Sequence, residues 1–242
     1  MHYMNSNIFR KTYSVSRDLF LDIFFPRLCV GCGREGSHLC FDCAGTIDKF
    51  KTPTCPECGR ITKFGQYCPA CKARTATALT GLIIAARYES GPTKEMIHQL
   101  KYSGITELAP LLGELIFERI KDHLPYGQIV IVPVPLHKKR EAQRGFNQSE
   151  LLARYLSDRL GFPGGAALMR TEDTRSQVEL SGEERRENLR GKFAIADAEL
   201  VSGKTVLLVD DVMTTGSTLN ECAKVLRRAG ARQVWGTVIA RG

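Results

Sequence analysis

No stretch of this chain is apolar for long enough to cross a bilayer. The longest apolar run near its start, Leu19 to Phe25, is interrupted by Asp22 and falls well short of the roughly 20 residues a membrane helix needs. The same run lacks the unbroken apolar core and small-residue cleavage site of a signal peptide. Val15 to Phe25 reads instead as a short amphipathic helix ended by Pro26. Membrane insertion is therefore not expected, and a cytoplasmic location is. A P-loop is missing too. Ser202-Gly203-Lys204-Thr205 imitates the end of one, but its first glycine would fall at Ala198, and a strand rather than a helix follows Lys204. Nucleoside triphosphatase chemistry is excluded on both counts. Large apolar residues are scarce between Cys29 and Cys71, so something other than a hydrophobic core must fold that segment.

What is present is a chain of 242 residues, 43% hydrophobic and 25% charged, as expected of a globular protein with a real core. The formal net charge is +8, and residues 1–80 carry +5 of it. A basic balance favours anionic partners such as nucleic acid or sugar phosphates without naming one.

Eight of the nine cysteines form four Cys-x-x-Cys pairs: Cys29 and Cys32, Cys40 and Cys43, Cys55 and Cys58, Cys68 and Cys71. Two intervening residues let one turn present both sulfurs to one metal, and two such turns close a tetrahedral site. Four pairs imply two structural zinc ions, which supply the folding energy that the segment's own side chains do not. Disulfides are the alternative; a reducing cytoplasm and the fourfold repeat argue against them. Sequential pairing is the default, with interleaved pairing open. His38 is available as a substitute ligand. Cys222 stands alone, in helical register with Leu219, Ala223 and Leu226, and reads as core.

After a polar linker, Lys72 to Thr77, strand and helix patterns alternate. Strands are expected at Leu79–Tyr88, Gln128–Val132, Ala166–Met169, Lys192–Ala196, Thr205–Val209 and Gln233–Ala240. Helices are expected from Pro92 to Lys101, Leu108 to His123, Phe146 to Leu160 and Ser217 to Ala229. Such alternation predicts an α/β fold with a parallel sheet, whose ligands sit beyond the carboxyl ends of the strands. The chemistry concentrates at one of those ends. Val206 to Val209 form a fully apolar strand that runs into Asp210 and Asp211, then into Thr214-Thr215-Gly216-Ser217-Thr218 at the start of a helix. Backbone N–H groups at a helix N-terminus attract an anion. Gly216 allows close approach, and paired carboxylates suit sugar hydroxyls or a hydrated metal. The site looks built for a sugar phosphate.

This segment resembles the phosphoribosyl pyrophosphate (PRPP) signature of type I phosphoribosyltransferases. The resemblance implies that Asp210 and Asp211 hold the ribose hydroxyls and that Thr214, Thr215, Gly216, Ser217 and Thr218 hold the 5′-phosphate, with Mg²⁺ accompanying PRPP. It also implies pyrophosphate binding by the basic loop after Pro133-Val134-Pro135, where Lys138, Lys139, Arg140 and Arg144 gather. The charged loop Arg170 to Arg190 would be a lid, and Leu79 to His123 a hood for the acceptor. No general base stands out.

Three further segments narrow the family: His98-Gln99-Leu100-Lys101-Tyr102-Ser103-Gly104, Arg144-Gly145-Phe146-Asn147-Gln148 and Arg186-Glu187-Asn188-Leu189-Arg190-Gly191-Lys192-Phe193. Together with the cysteine pairs they resemble the ComF family of competence proteins over about residues 18–240. That resemblance implies an N-terminal extension at 1–28, a double zinc ribbon at 29–75 and a phosphoribosyltransferase-like domain at 79–242. It further implies a role in bacterial DNA uptake, with single-stranded DNA and competence-machinery proteins as partners. Two compatible functions follow. One is a phosphoribosyltransferase that moves phosphoribose from PRPP to a nitrogen nucleophile. The other is a single-stranded-DNA-binding module whose PRPP site is vestigial or sensory. In the second, Phe41, Phe50, Phe64 and Tyr67 would stack bases beside Lys49, Lys51, Arg60 and Lys63; their alternative duty is to fill the ribbons.

Overall fold

The computed structural model describes residues 26–125, 127–172 and 191–242. The expected helix at Val15–Phe25 and nearly all of the expected lid lie outside them.

Four strands form one parallel sheet: β1 (Gly81–Arg87), β2 (Ile129–Pro133), β5 (Thr205–Met213) and β6 (Gln233–Arg241), in the order β1-β6-β5-β2. Each strand is apolar on both faces because both faces are covered. Ile83, Ile131, Leu207, Val209, Trp235 and Ile239 pack against α4 (Leu108–Ile120) and α6 (Gln148–Leu160). Leu82, Val130, Val132, Val206, Leu208, Val234 and Val238 pack on the opposite side against α7 (Ser217–Arg228). Cys222 is fully buried there beside Leu219, Ala223 and Leu226, as its register predicts.

Several local expectations need correction. The segments read as two further sheet strands, β3 (Leu168–Arg170) and β4 (Phe193–Ile195), pair antiparallel with each other and stay outside the parallel sheet. Three residues each are enough for a hairpin-like patch but not for another layer. The linker at Lys72–Thr77 is mostly helix: α2 (Pro69–Thr75) starts on Pro69, whose fixed φ suits a first helical turn. The basic loop after Pro135 is also helical, as α5 (Lys138–Arg144), opened by His137 accepting from the Lys139 N–H at 3.3 Å and closed by Gly145. Finally, α3 (Thr93–His98) passes into a π-helical turn at Gln99–Ser103 instead of continuing as α-helix to Lys101.

Lys204 has no phosphate-binding role in this fold. Its ammonium donates to the Leu200 carbonyl at 2.9 Å, and Thr205 begins a strand. Among the described residues no helix is long and apolar enough to cross a membrane.

The N-terminal cysteine region is tied to the edge of the sheet. Phe50 N–H donates to Ala85 O at 3.0 Å, Arg87 N–H to Asp48 O at 3.1 Å, and Tyr67 N–H to Thr80 O at 3.4 Å. Its short helix α1 (Phe41–Gly45) buries none of its residues.

Candidate functional site

β2 and β5 end side by side, with Pro133 opposite Val209. β5 does not stop before its acids: it runs to Met213, so Asp210 and Asp211 are strand residues with fixed, opposed directions. Asp210 Oδ1 accepts from Ser149 Oγ at 2.9 Å and from the Asp211 N–H at 2.9 Å. Ser149 sits in the first turn of α6, whose cap Asn147 also donates to Val134 O at 3.0 Å. That bond ties the helix to the strand end. Asp211 turns the other way. Its side chain is 5% exposed; Oδ2 stands 2.7 Å from Lys101 Nζ, and Oδ1 accepts from the Val212 N–H at 2.6 Å.

The two carboxylates are electrostatically unequal. Burial first, and the Asp211 charge second, push Asp210 up to about 7. Lys101 is shifted upward: burial opposes its charge, but Asp211 more than reverses that.

Past the acids, Gly216 takes the left-handed conformation (φ 77°) and begins α7 with no side-chain cap. Apart from the Ser217 N–H, the N–H groups of the first turn therefore remain available to an anion. Thr215 Oγ1 and Ser217 Oγ lie 2.8 Å apart, and Thr215 also accepts from Ser217 N–H at 3.4 Å. Asp210 and Thr214 to Thr218 line one small cavity at this point.

The basic residues are only partly gathered. Arg140 and Arg144 line a second cavity with Lys101, Tyr102 and Gln143. The Arg144 guanidinium lies 5.7 Å from the Tyr102 ring centre and donates to Gln148 Oε1. Lys138 and Lys139 are exposed, and neither lines that cavity. Of the expected hood, β1 belongs to the central sheet; Lys101 and Tyr102, on the π-helical turn, are the part that reaches the acids and Arg144. Lys101 and Ser149 had no assigned role in the sequence reading. A signal for Lys101 exists there, because it falls four residues after Ile97, in register with the apolar face of the expected Pro92–Lys101 helix, where a lysine requires a counter-charge.

The cysteines resolve into sequential sets, Cys29, Cys32, Cys40, Cys43 and Cys55, Cys58, Cys68, Cys71, with all sulfurs of each set within 4.8 Å of one another. His38 belongs to neither. The Cys32–Cys40 and Cys58–Cys68 sulfur separations are 3.7 and 3.8 Å, close to the ~3.8 Å edge of a tetrahedron with Zn–S bonds of about 2.3 Å. Burial raises the Cys29 and Cys55 thiols, but amide donors including Cys40 N–H at 3.3 Å and Cys68 N–H at 3.4 Å bring each down to about 6. An all-thiolate set of this size fits structural zinc.

Comparison with known proteins agrees with this architecture. A phosphoribosyl transferase domain matches residues 102–241, and a double zinc ribbon domain matches residues 20–72. Competence protein F of Haemophilus influenzae is 34% identical over 227 residues, covering 88% of this chain and 97% of that protein. The chain belongs to the ComF family of competence proteins. Other ComF relatives include DNA utilization protein YhgH of Escherichia coli K12, 37% identical over 225 residues, 87% of this chain and 96% of the relative. Competence protein ComFC of Bacillus subtilis is 29% identical over 203 residues, 81% of each chain.

Proposed function

We propose that this ComF protein binds PRPP with Mg²⁺ at the joined ends of β5 and β2, and that it serves the handling of internalised single-stranded DNA in the cytoplasm. One observation carries the PRPP reading: the strand that bears two adjacent carboxylates leads, through Thr214 to Gly216, into a helix N-terminus at Ser217 with no side-chain cap. In this reading the amides and hydroxyls of Thr214 to Thr218 take the 5′-phosphate. Asp210 and Asp211 orient the ribose diol, and their oxygens are the hard donors that Mg²⁺ prefers; the ion would offset charge on the departing pyrophosphate. Arg140 and Arg144 hold the pyrophosphate by charge-assisted hydrogen bonds, with Lys138 at the rim. A nitrogen nucleophile then forms its bond to the anomeric carbon as the bond to the pyrophosphate oxygen breaks. Mg²⁺–PRPP is expected to raise the melting temperature, and Asp210→Ala combined with Asp211→Ala to abolish the rise. No shift at millimolar ligand rejects the reading.

A second reading, direct single-stranded-DNA binding, is favoured by Phe41. Of the four aromatics in the ribbon region it is the most exposed, 93% on a short helix that buries nothing, whereas Phe50, Phe64 and Tyr67 are partly buried. An exposed ring on a basic module suits base stacking. Fluorescence anisotropy should show binding that weakens steeply with salt and with Phe41→Ala. Salt-insensitive or absent binding rejects it.

A further inference from the structure

A cavity of about 230 Å³ lies between the second cysteine set, the outer edge of β1 and the end of α4, lined by Phe50, Phe64, Arg119, His123 and Arg241 among others. None of the residues assigned to the sugar phosphate lines it. Three basic side chains face a single acid there, Glu57, which is already paired with Arg74 at 3.6 Å. Arg241 is held at the rim by a 2.7 Å bond to Pro56 O.

Arg119 is the anomaly. Its Nε is buried with no hydrogen-bond partner, and no acid pairs with it among the described residues. Burial alone depresses its pKa. The guanidinium is only partly buried, but an Nε cut off from water with neither an acceptor nor a counter-charge is costly. The C-terminal end of α4 offers only about half a negative charge in return. A cation in this setting favours an anion beside it.

The aromatic half of the cleft is held under strain. Phe64 has left-handed backbone (φ 57°, ψ 18°), a conformation that costs a residue with a side chain roughly 1–2 kcal/mol. The adjoining Gly65 (φ 76°) passes so close to β1 that a Cβ there would lie 2.6 Å from Leu82 O. This sharp turn sets the Phe64 ring 6.2 Å from His123 and 6.4 Å from Trp235, edge-on to the latter. Phe50 stays partly exposed on the same wall. Strain that serves to present a ring inside a cationic cleft is characteristic of a binding site.

We infer that this cleft is a second binding site, for a phosphorylated nucleoside, whose base lies against Phe50 and Phe64 and whose phosphate neutralises Arg119. Its size admits one such unit, either a free nucleotide or one residue of a DNA strand. The inference stands independently of the PRPP reading.

Calorimetric titration of the zinc-loaded full chain with dAMP tests it, in the presence of excess ribose 5-phosphate to occupy the Thr214–Thr218 loop. Binding is expected to persist, to weaken at least tenfold in Arg119→Gln and in Phe50→Leu, and to survive in part in Arg119→Lys. Adenosine and inorganic phosphate should each bind at least tenfold more weakly than dAMP. Competition by (dA)₈ at the same Arg119-dependent site identifies a DNA strand as the source; absence of competition identifies the free nucleotide. Binding that is unchanged in Arg119→Gln, or that ribose 5-phosphate abolishes entirely, overturns the inference. If ribose 5-phosphate itself fails to bind while Arg119-dependent dAMP binding remains, the PRPP reading falls and this one stands. Arg119→Gln should also melt no lower than the parent, since it removes a partly buried cation whose Nε has no acceptor; a large loss of stability would make Arg119 a structural residue and overturn the inference.

Discussion

Lys101 Nζ stands 2.7 Å from Asp211 Oδ2, with the side chains 20% and 5% exposed. The residue that the PRPP reading assigns to a sugar hydroxyl is thus already neutralised by a cation delivered on a π-helical turn, a feature often found at functional sites. Removing one partner of a buried pair strands the other charge. Lys101→Met should therefore lower stability by about 3 kcal/mol in urea unfolding. Lys101→Met combined with Asp211→Asn should recover most of that loss, a coupling that two independent sites would not show.

Asp210 gives the site a pH dependence. Its pKa rises from 3.8 to about 7 on folding, through burial and then the Asp211 charge. Between these values the native state holds a proton that the unfolded chain has lost. The free protein should therefore become less stable as pH rises from about 4 to 7 and level off above. Asp210→Asn should flatten that slope. Ligand binding runs the opposite way if it needs the ionised carboxylate: Mg²⁺–PRPP affinity should rise up to about tenfold per pH unit below 7 and plateau above it. Calorimetry from pH 5.5 to 8 measures both the slope and the plateau.

The parallel sheet was readable because its strands are buried on both faces, so Val206 to Val209 and Ile129 to Val132 appear as unbroken apolar runs. The paired acids, the hydroxyl-rich turn at Thr214–Thr218 and the cysteine sets were readable because their spacing is local. Ser149 and the partner of Lys101 were not, because Asp210 and Asp211 are distant from them in sequence and adjacent only once α6 and the π-helical turn dock against the end of β5. The helix at Lys138–Arg144 was missed for another reason. Its charged composition resembles a solvated loop and lacks an apolar face; Gly145 is an ordinary stop signal, but the cap at its start is His137, which is a weak start signal.

Metal removal should separate the two halves of the molecule. The cysteine segment has four-sulfur sets at tetrahedral spacing and a satellite cluster built from Cys55, Cys68, Cys71 and Tyr67. Structural zinc contributes roughly 10–16 kcal/mol to small metal-folded modules. Chelation should release two zinc ions per chain and abolish the protection of residues 29–71 against proteolysis. The sheet, with its own core, should still unfold cooperatively. Cys55→Ser should release one zinc and loosen the second set alone. Release of both by that single change would mean that the sets are not independent.

Gly216 separates backbone strain from ligand recognition. Its φ is 77°, and a Cβ there would meet Met213 Sδ at 3.2 Å, so Gly216→Ala should lower stability by about 1–2 kcal/mol. Gly161, which closes α6 with φ 71° and has nothing within 4 Å of its virtual Cβ, supplies the control: Gly161→Ala should lose about 1 kcal/mol from the same left-handed penalty. The two variants then part in binding. Gly216 caps the helix whose first-turn residues line the small cavity, so its substitution should weaken ribose 5-phosphate at least tenfold by turning the first-turn amides away. Gly161→Ala should leave that affinity unchanged. Equal affinities in the two variants would mean that the amides of α7 do not hold the phosphate.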